Sequence, residues 1–339
     1  MNIAFVSWHC CARVIKFGIA LMRAGHEVHF IQNRVSNNDY IKFFHSASFF
    51  ENKHQFVIKM QGLKDIDLIH VHNEPSWMGW MAKTVRPDLP VVFDIHDLTH
   101  PRLGEANNDE ILSIGACDGF LVPSIGYLNF VKNYFYLADK PIEVLYSYCV
   151  KNVIGLPRRP RVNGIVFEGG LSVTSDEDAQ NNKFSFRDYR QVAKTLTAMD
   201  IPFIIYSADS KDIEPYTQTG ALCMPYTPYF SMMKELTRYD WGLCGSPFPT
   251  VALDWAMPNK LFEYIAAGLP VIVYNGQEMS EFVKKHELGV VIKDLGEIPK
   301  IYHLHEKYRE NVRKKRHRWI MEKQIPKLVD FYKKILGKV

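Results

Sequence analysis

Short apolar segments alternate with amphipathic segments along the chain, and this alternation constrains the fold more than any other feature. Residues 2–7 form an apolar strand candidate, residues 13–24 carry apolar positions at helical spacing, and residues 25–31 return to a strand pattern. The same order recurs across 67–96 and across 165–244. Strands that alternate with helices pair in parallel, and the helices cover both faces of the sheet. The sequence therefore predicts an α/β fold with two doubly wound, Rossmann-like domains facing a cleft.

The length of the chain agrees with two domains. Its 339 residues suit two cores of roughly 150 residues each better than one. A stretch rich in Pro and Arg at 155–161 interrupts the alternation and indicates a linker. We expect one domain at 1–154, a second at 155–317, and a terminal segment at 318–339 that is helical and kinked by Pro326.

The segment 257–273 is the strongest candidate for a ligand site. Pro258 fits the first turn of a helix, and Gly268 with Pro270 ends that helix before an apolar strand. Lys260 and Glu263 are three residues apart and share a helix face. Lys260 and the first-turn N–H groups would bind a pyrophosphate, and Glu263 would accept hydrogen bonds from ribose hydroxyls. An ordinary helix with a solvated Lys/Glu pair is the alternative.

The string from Pro258 to Tyr264, Pro-Asn-Lys-Leu-Phe-Glu-Tyr, followed by Ala-Ala-Gly-Leu-Pro-Val-Ile, resembles the donor site of family 4 glycosyltransferases with the GT-B fold. The resemblance implies a nucleotide-sugar donor in the second domain and a terminal helix that crosses back to the first. Glu-Gly-Gly-Leu at 168–171 is similar to the family's glycine turn, which presents backbone N–H groups to phosphates. The donor-binding candidates are Gly169, Gly170, Arg187, Tyr226, Asn259, Lys260 and Glu263.

Candidate catalytic residues follow the strand at 90–96. An imidazole has a pKa near working pH, so His96 could donate a hydrogen bond to the sugar or position an acceptor, although a strand-end histidine can also simply cap a loop. The resemblance favours His96, with Asp97 beside it, as the catalytic pair. On the acceptor side it points to three residues, Arg13, His72 and Asn73. His70 and His72 share a strand face, but no further ligands cluster with them, so we predict no metal and no cofactor.

Two departures from the family pattern keep other functions open. Trp255 stands where many members carry a glutamate that touches the sugar, with Asp254 beside it as a substitute, and the loop at 8–13 is bulky where a Gly-Gly pair is usual. The predicted function is transfer of a sugar from a nucleoside diphosphate to an acceptor hydroxyl, with retained configuration, in glycan or polysaccharide biosynthesis. A nucleotide-sugar epimerase and a non-catalytic nucleotide-sugar binder are the alternatives. A nicotinamide dehydrogenase is disfavoured because Gly-x-Gly-x-x-Gly is absent from the sequence.

The net charge and the cysteines limit which partners and which cellular compartment we expect. A formal charge of +4 is too small to indicate nucleic-acid binding. The basic stretch at 309–318 predicts either a solvated helix face or electrostatic attraction to an anionic membrane. We expect a glycan or lipid-linked acceptor and a cytoplasmic protein in peripheral contact with the membrane, because no apolar run approaches ~20 residues and no secretory signal is evident. Six scattered cysteines predict reduced thiols.

Overall fold

The computed structural model describes residues 1–33, 40–72, 74–96, 98–103, 107–173, 185–207, 213–248 and 250–337. These residues form two compact units, which we call the first unit (1–150 with 321–339) and the second unit (151–320). The predicted site residues Asn73 and Asp97 lie outside the described residues.

Each unit contains one sheet, and every strand pairing in both sheets is parallel. The strands of the first unit are β1 (Asn2–Ser7), β2 (Glu27–Asn33), β3 (Ser46–Phe50), β4 (Leu68–His72), β5 (Val91–Asp94), β6 (Gly119–Val122) and β7 (Ile142–Val144). The strands of the second unit are β8 (Ile165–Glu168), β9 (Phe203–Tyr206), β10 (Leu222–Met224), β11 (Trp241–Gly245), β12 (Val271–Tyr274) and β13 (Gly289–Ile292).

Helices connect the strands. They are α1 (Ala12–Arg23), α2 (Lys53–Gln61), α3 (Trp77–Val85), α4 (Thr99–Leu103), α5 (Asn108–Ala116), α6 (Ile125–Tyr134), α7 (Lys151–Ile154), α8 (Arg190–Ala198), α9 (Ile213–Thr217), α10 (Tyr229–Leu236), α11 (Val251–Trp255), α12 (Asn259–Ala267), α13 (Gln277–His286), α14 (Ile298–Ile301), α15 (His305–Lys315) and α16 (Ile325–Ile335).

Both sheets reverse their winding direction once. The strand orders are β3-β2-β1-β4-β5-β6-β7 and β10-β9-β8-β11-β12-β13. Winding proceeds outward in one direction from β1 and β8, and in the other direction from β4 and β11. In open α/β sheets, ligands bind beyond the carboxyl ends of the strands at such a reversal. The prediction of two doubly wound parallel sheets is confirmed, and the residues that follow β1, β4, β8 and β11 occupy the positions where a site is expected.

Packing explains why the strands are nearly continuous apolar runs. Ile3 to Val6 of β1 are fully buried, as are Ile165 and Val166 of β8, because helices cover both faces of each sheet. The shortest strands were not predicted: β7 and β10 have three residues each, and Leu222 in β10 is 55% exposed. So short an edge strand shows no two-residue periodicity.

The end of the chain differs from its prediction in one respect. A single helix from residue 318 with a kink at Pro326 was expected, but α16 begins at Ile325 and Pro326 lies in its first turn. A proline in the first turn costs no hydrogen bond, so it starts this helix and does not bend it. The helix packs on the first unit, as the resemblance implied, and the Tyr332 hydroxyl lies 2.6 Å from Nδ1 of His70.

Candidate functional site

In the second unit, Lys260 extends from α12 to the glycine turn that follows β8. Its Nζ lies 3.7 Å from the centre of the Phe167 ring, a cation–π contact. Gly169 has a φ of +139°, and a Cβ atom at that position would lie 2.9 Å from the Lys260 Nζ. Glycine is therefore required here both for its backbone conformation and for the space beside the ammonium group. The structure brings Lys260 and Gly169 together as the sequence predicted.

Carboxylates and a further cation surround this ammonium group. Glu168 is 8% exposed and Glu263 is 2% exposed. Burial lowers the pKa of Lys260, the negative charges of Glu168 and Glu263 oppose that shift, and the positive charge of Arg187 adds to it. Burial raises the pKa of the Cys244 thiol at the end of β11, where Lys260 opposes the rise and the two carboxylates increase it. The predicted residues Lys260, Glu263 and Arg187 thus belong to one charged cluster, together with Glu168, which was predicted only as part of the turn.

Two buried tyrosines fix the backbone around the cluster. Tyr264 of α12 packs against Gly242, and its hydroxyl accepts a 2.9 Å hydrogen bond from the backbone N–H of Glu168. The Tyr189 hydroxyl donates to the carbonyl of Gly245 at the end of β11. The first contact joins the helix that carries Lys260 to the end of β8, and the second joins the start of α8 to the end of β11, so the core of the unit sets the position of the cluster.

The remaining donor-side predictions lie at the margins of this cluster. Asn259 is the first residue of α12, and Gly170 follows Gly169 in the turn; both are half-buried. Tyr226 follows β10 and is 52% exposed. Trp255 ends α11 and is half-buried. The sugar contact by Asp254 in place of the glutamate that Trp255 replaces and the base-stacking role of Tyr226 stay predictions.

In the first unit, a buried ion cluster centres on Asp94 at the end of β5. Nε of Arg13 donates to Oδ2 of Asp94 at 2.7 Å and Nη2 donates to Oδ1 at 2.9 Å, while Nη1 donates to the carbonyl of Leu145 at 2.9 Å. Arg13 is 1% exposed and Asp94 is fully buried. Burial alone would raise the pKa of Asp94, but the charge of Arg13, together with the three neighbouring histidines, holds it well below its usual range.

Two histidines of β4 stack beside this carboxylate. The rings of His70 and His72 are 4.2 Å apart, and His70 Nε2 and His72 Nδ1 lie 3.6 Å and 3.4 Å from Asp94 Oδ2. Burial lowers the pKa of both imidazoles, that of His72 to about 3. The three side chains are near enough to one another to hold a metal ion. Arg13 already bonds both Asp94 oxygens, however, so we interpret the group as an ion pair flanked by neutral imidazoles.

His96 follows β5 on the other side of Asp94. Its Nδ1 lies 3.8 Å from Asp94 Oδ1, and its side chain keeps 19% of its surface exposed, so a ligand can reach it. Burial would lower the pKa of His96, but the negative charge of Asp94, with a contribution from Cys11, raises it to about 10. The imidazole is therefore protonated near neutral pH and acts as a hydrogen-bond donor. Arg13, His72 and His96, all predicted from sequence, meet at one carboxylate.

The basic stretch at 309–318 is largely engaged in contacts within the second unit. Buried Arg309 donates to the carbonyl of Tyr239, Arg316 donates to the carbonyl of Ala266 at 2.8 Å, and Lys315 pairs with Glu287 at 2.7 Å. Four basic residues in or beside the stretch are exposed: Lys307, Lys314, His317 and Arg318. Within the described ranges, no helix combines the length and apolar character that crossing a membrane requires.

Two family models match the sequence in consecutive parts. Residues 13–147 match Glycosyltransferase Family 4, and residues 186–322 match the Glucosyltransferase 3-like, C-terminal domain. The chain is a family 4 glycosyltransferase with the GT-B fold. No curated protein sequence matches this glycosyltransferase.

Solved structures share its fold at low sequence identity. An alpha-glucosyltransferase in complex with UDP-glucose and DNA matches with a TM-score of 0.70 at 12% identity, over 98% of this chain and 99% of that one. The sucrose-phosphate synthase of Thermosynechococcus elongatus matches with a TM-score of 0.66 at 13% identity, over 97% and 98%. The UDP-GlcNAc 2-epimerase of Methanocaldococcus jannaschii gives 0.53 at 11% identity, over 88% and 91%. The GT-B fold is thus confirmed.

Some residues of the glycosyltransferase that matter in the structure were not predicted. Asp94 was passed over in favour of Asp97, although a lone acid in the apolar run of β5 was a usable signal. Cys11 was assigned no role, and its effect on the pKa of His96 depends on tertiary structure that no local pattern encodes.

Proposed function

We propose that this glycosyltransferase moves a sugar from a nucleoside diphosphate to an acceptor hydroxyl. The observation that carries the proposal is the Lys260 ammonium group beside the glycine turn at Gly169. A diphosphate that leaves the sugar carries developing negative charge, and fixed donors aimed at such charge are a large source of rate enhancement. Lys260 and the backbone N–H groups of the turn would supply those donors.

The cluster contains two cations and two carboxylates, so it suits a ligand that presents both anionic groups and hydroxyl groups. Lys260 and Arg187 are the cations, and burial lowers the pKa of Lys260, so a negative charge beside it would stabilise its ammonium form. Glu263 is the carboxylate that we assign to the ribose hydroxyls, since a carboxylate accepts such bonds strongly. A nucleoside diphosphate supplies both the anionic phosphates and the hydroxyls.

The transfer step requires no protein base on this scheme. The bond from the anomeric carbon to the diphosphate oxygen breaks, with its electron pair staying on the phosphate. The acceptor oxygen forms the new bond to the anomeric carbon, and its proton passes to the departing phosphate. We propose that this happens on one face of the sugar, so that the configuration is retained, and that the cations of the cluster make a divalent ion unnecessary.

His96 suits the role of hydrogen-bond donor in this scheme. Because its pKa is raised to about 10, it carries a proton at neutral pH and is a poor general base. It would orient the sugar or the acceptor, while Arg13 and His72, packed around Asp94 inside the first unit, would hold it in position. The predicted contact of Arg13 and His72 with an acceptor becomes an indirect one on this proposal.

A thermal-shift panel with UDP, GDP, ADP and dTDP tests the proposal, because a ligand that binds only the folded state raises its melting temperature. We expect one of the diphosphates to stabilise the wild type, and we expect Lys260→Met to lose that shift. Lys284→Met, at an exposed lysine of α13, is the matched control and should keep it. A Lys260→Met protein that retains the full shift would refute the assignment.

An epimerase is the second candidate, supported by the weaker match to the UDP-GlcNAc 2-epimerase. Incubation with a nucleotide sugar and no acceptor distinguishes the two. An epimerase releases an altered sugar nucleotide, whereas a transferase releases only the diphosphate and free sugar through slow hydrolysis.

For the acceptor we propose a glycan or a lipid-linked glycan, in glycan biosynthesis at the cytoplasmic face of a membrane. The DNA in the structure of the alpha-glucosyltransferase belongs to that protein, and the small net charge of +4 gives no support for a nucleic-acid acceptor here. A peripheral membrane contact would use the exposed cations near the end of α15. Sedimentation with anionic vesicles should then fall as salt rises; binding that ignores salt would exclude an electrostatic contact.

A further inference from the structure

Three side chains that can bind a metal ion meet where β2 and β3 begin, in the first unit. Glu27 and His29 belong to β2, and His45 directly precedes β3. Nε2 of His29 and Nε2 of His45 lie 3.9 Å and 3.7 Å from Oε2 of Glu27, and the centres of the two imidazole rings are 5.0 Å apart. One ligand atom of each side chain lies within 4.8 Å of those of the other two. We call this group the strand-start cluster.

Backbone pairing of the two strands fixes these side chains relative to one another. Glu27 and His29 are two residues apart in β2, so their side chains emerge on the same face of the sheet. In the parallel register His29 lies opposite Ser46, and the backbone N–H of His45 donates to the carbonyl of Val28 at 2.9 Å. The pairing of β2 with β3 therefore positions all three side chains.

The Ser46 hydroxyl gives His29 the orientation that a metal ligand needs. Its Oγ lies 2.8 Å from Nδ1 of His29. A metal-binding imidazole usually donates a hydrogen bond from the ring nitrogen that does not bind the ion, and this bond fixes the tautomer and the ring orientation. With the Nδ1 proton donated to Ser46, Nε2 of His29, which lies beside Glu27, keeps its lone pair for an ion.

The ligand types and their spacing fit Zn²⁺. Two imidazole nitrogens and one carboxylate oxygen are typical zinc ligands, with water in the fourth position. Bonds of ~2.0–2.1 Å in a tetrahedral site place ligand atoms roughly 3.3–3.4 Å apart. The distances of 3.9 Å and 3.7 Å to Glu27 exceed that spacing by about half an ångström or less. The widest separation, no more than 4.8 Å, can close through rotation of the His45 side chain, which is 48% exposed. Mg²⁺ and Ca²⁺ prefer oxygen ligands and fit less well.

The strand-start cluster lies at the opposite edge of its sheet from the ion cluster at Asp94. All pairings in this sheet are parallel, so the strands begin at one edge and end at the other. His72 and Asp94 are at the carboxyl ends of β4 and β5. An ion in the strand-start cluster would not touch the residues that we assign to sugar transfer. It would instead join β2 to β3, the edge strand of the sheet.

We propose that Glu27, His29 and His45 form a binding site for Zn²⁺, and that the bound ion fastens the edge strand β3 to β2. The proposal goes beyond sugar transfer and does not depend on it. The sequence did not predict this site, because His45 reaches the other two ligands only through the pairing of the two strands.

Isothermal titration of the full-length, metal-free protein with Zn²⁺ tests the proposal. We expect saturable binding, which His29→Gln and His45→Gln should each weaken at least about tenfold, and Ser46→Ala about tenfold because it removes the bond that orients His29. His54→Gln, at an exposed histidine of α2, is the matched control and should bind as the wild type does. Wild-type affinity in the double variant His29→Gln/His45→Gln would overturn the proposal.

Two further measurements separate this site from zinc binding elsewhere. Co²⁺ bound by cysteine thiolates absorbs strongly in the near ultraviolet, whereas nitrogen and oxygen ligands give no such band, so a strong band would assign the ion to cysteines and overturn the proposal. Saturating Zn²⁺ should slow hydrogen exchange of the β3 amides at least about threefold, leave the β6 amides unchanged, and lose this effect in His45→Gln. Zinc binding that leaves β3 exchange unchanged would contradict the bridging of β2 and β3.

Discussion

The buried imidazole of His72 makes the stability of the first unit depend on pH, and replacing it should remove its share of that dependence. His72 is 1% exposed and lies edge-on to Phe5, with a ring-centre distance of 4.7 Å. Burial lowers its pKa to about 3, whereas an unfolded histidine has a pKa of about 6.5. As the pH falls below about 6.5, the unfolded state therefore takes up a proton that the folded state does not.

The magnitude follows from those two pKa values. Because the folded pKa is depressed, the stabilisation is complete above pH 6.5 and decreases as the pH falls towards 3. Between pH 7 and pH 5 the loss is about 2 kcal/mol for one histidine with these values. Stabilities derived from hydrogen exchange of the β4 amides report on the first unit alone. Wild type should lose this amount relative to His72→Phe, which keeps a ring of similar size.

A control variant tests whether the difference comes from His72 itself. His54→Phe, at an exposed histidine of α2, should follow the wild type across the same pH range. The intrinsic exchange rates change with pH equally in all three proteins and cancel in the differences. A His72→Phe protein whose stability falls between pH 7 and pH 5 as steeply as that of the wild type would show that the imidazole is not buried in its neutral form.

Two further predictions concern the two clusters. Gly169→Ala should lower turnover at least tenfold, or about 1.4 kcal/mol, because its Cβ would displace the ammonium of Lys260; Gly25→Ala, with a φ of +83° and nothing near the added atom, controls for backbone strain and should keep activity. Arg13→Met should destabilise the first unit by about 3–5 kcal/mol in hydrogen exchange, because it leaves Asp94 buried without its cation. Arg13→Met/Asp94→Leu should recover most of that loss; a double variant no more stable than the single one would contradict the ion-pair argument.

Much of the fold could be predicted from sequence because its strands are short, apolar and bounded by helix signals. The strand at 2–7 was predicted at its observed bounds, since a continuous apolar run between two polar residues has few other solutions. Edge strands such as β10 were not predicted, because three residues at the margin of a sheet need not be apolar. Pro326 was misassigned because a proline that starts a helix and a proline that bends one differ only in where the helix begins.

In the candidate site too, residues with a local sequence signal were predicted, and residues that meet only in the folded unit were not. Lys260 and Glu263 were predicted because a proline and a glycine bracket their helix and fix which face they share. The cluster at Asp94 was not predicted as a unit, because Arg13 and Asp94 are 81 residues apart in sequence and meet only through the order of the strands. The raised pKa of His96 has the same origin, because the rise depends on Asp94 and Cys11, which lie at the ends of two different strands.

The central claim is that the second unit binds a nucleoside diphosphate, with Lys260 at the phosphates and Glu263 at the ribose. The most direct measurement is isothermal titration with two ligands, inorganic pyrophosphate and the diphosphate that gives the largest thermal shift. Glu263→Gln should bind the nucleotide at least about tenfold more weakly and pyrophosphate as the wild type does, whereas Lys260→Met should lose affinity for both. Glu281→Gln, at an exposed glutamate of α13, should match the wild type throughout. Unchanged nucleotide affinity in Glu263→Gln would contradict the account.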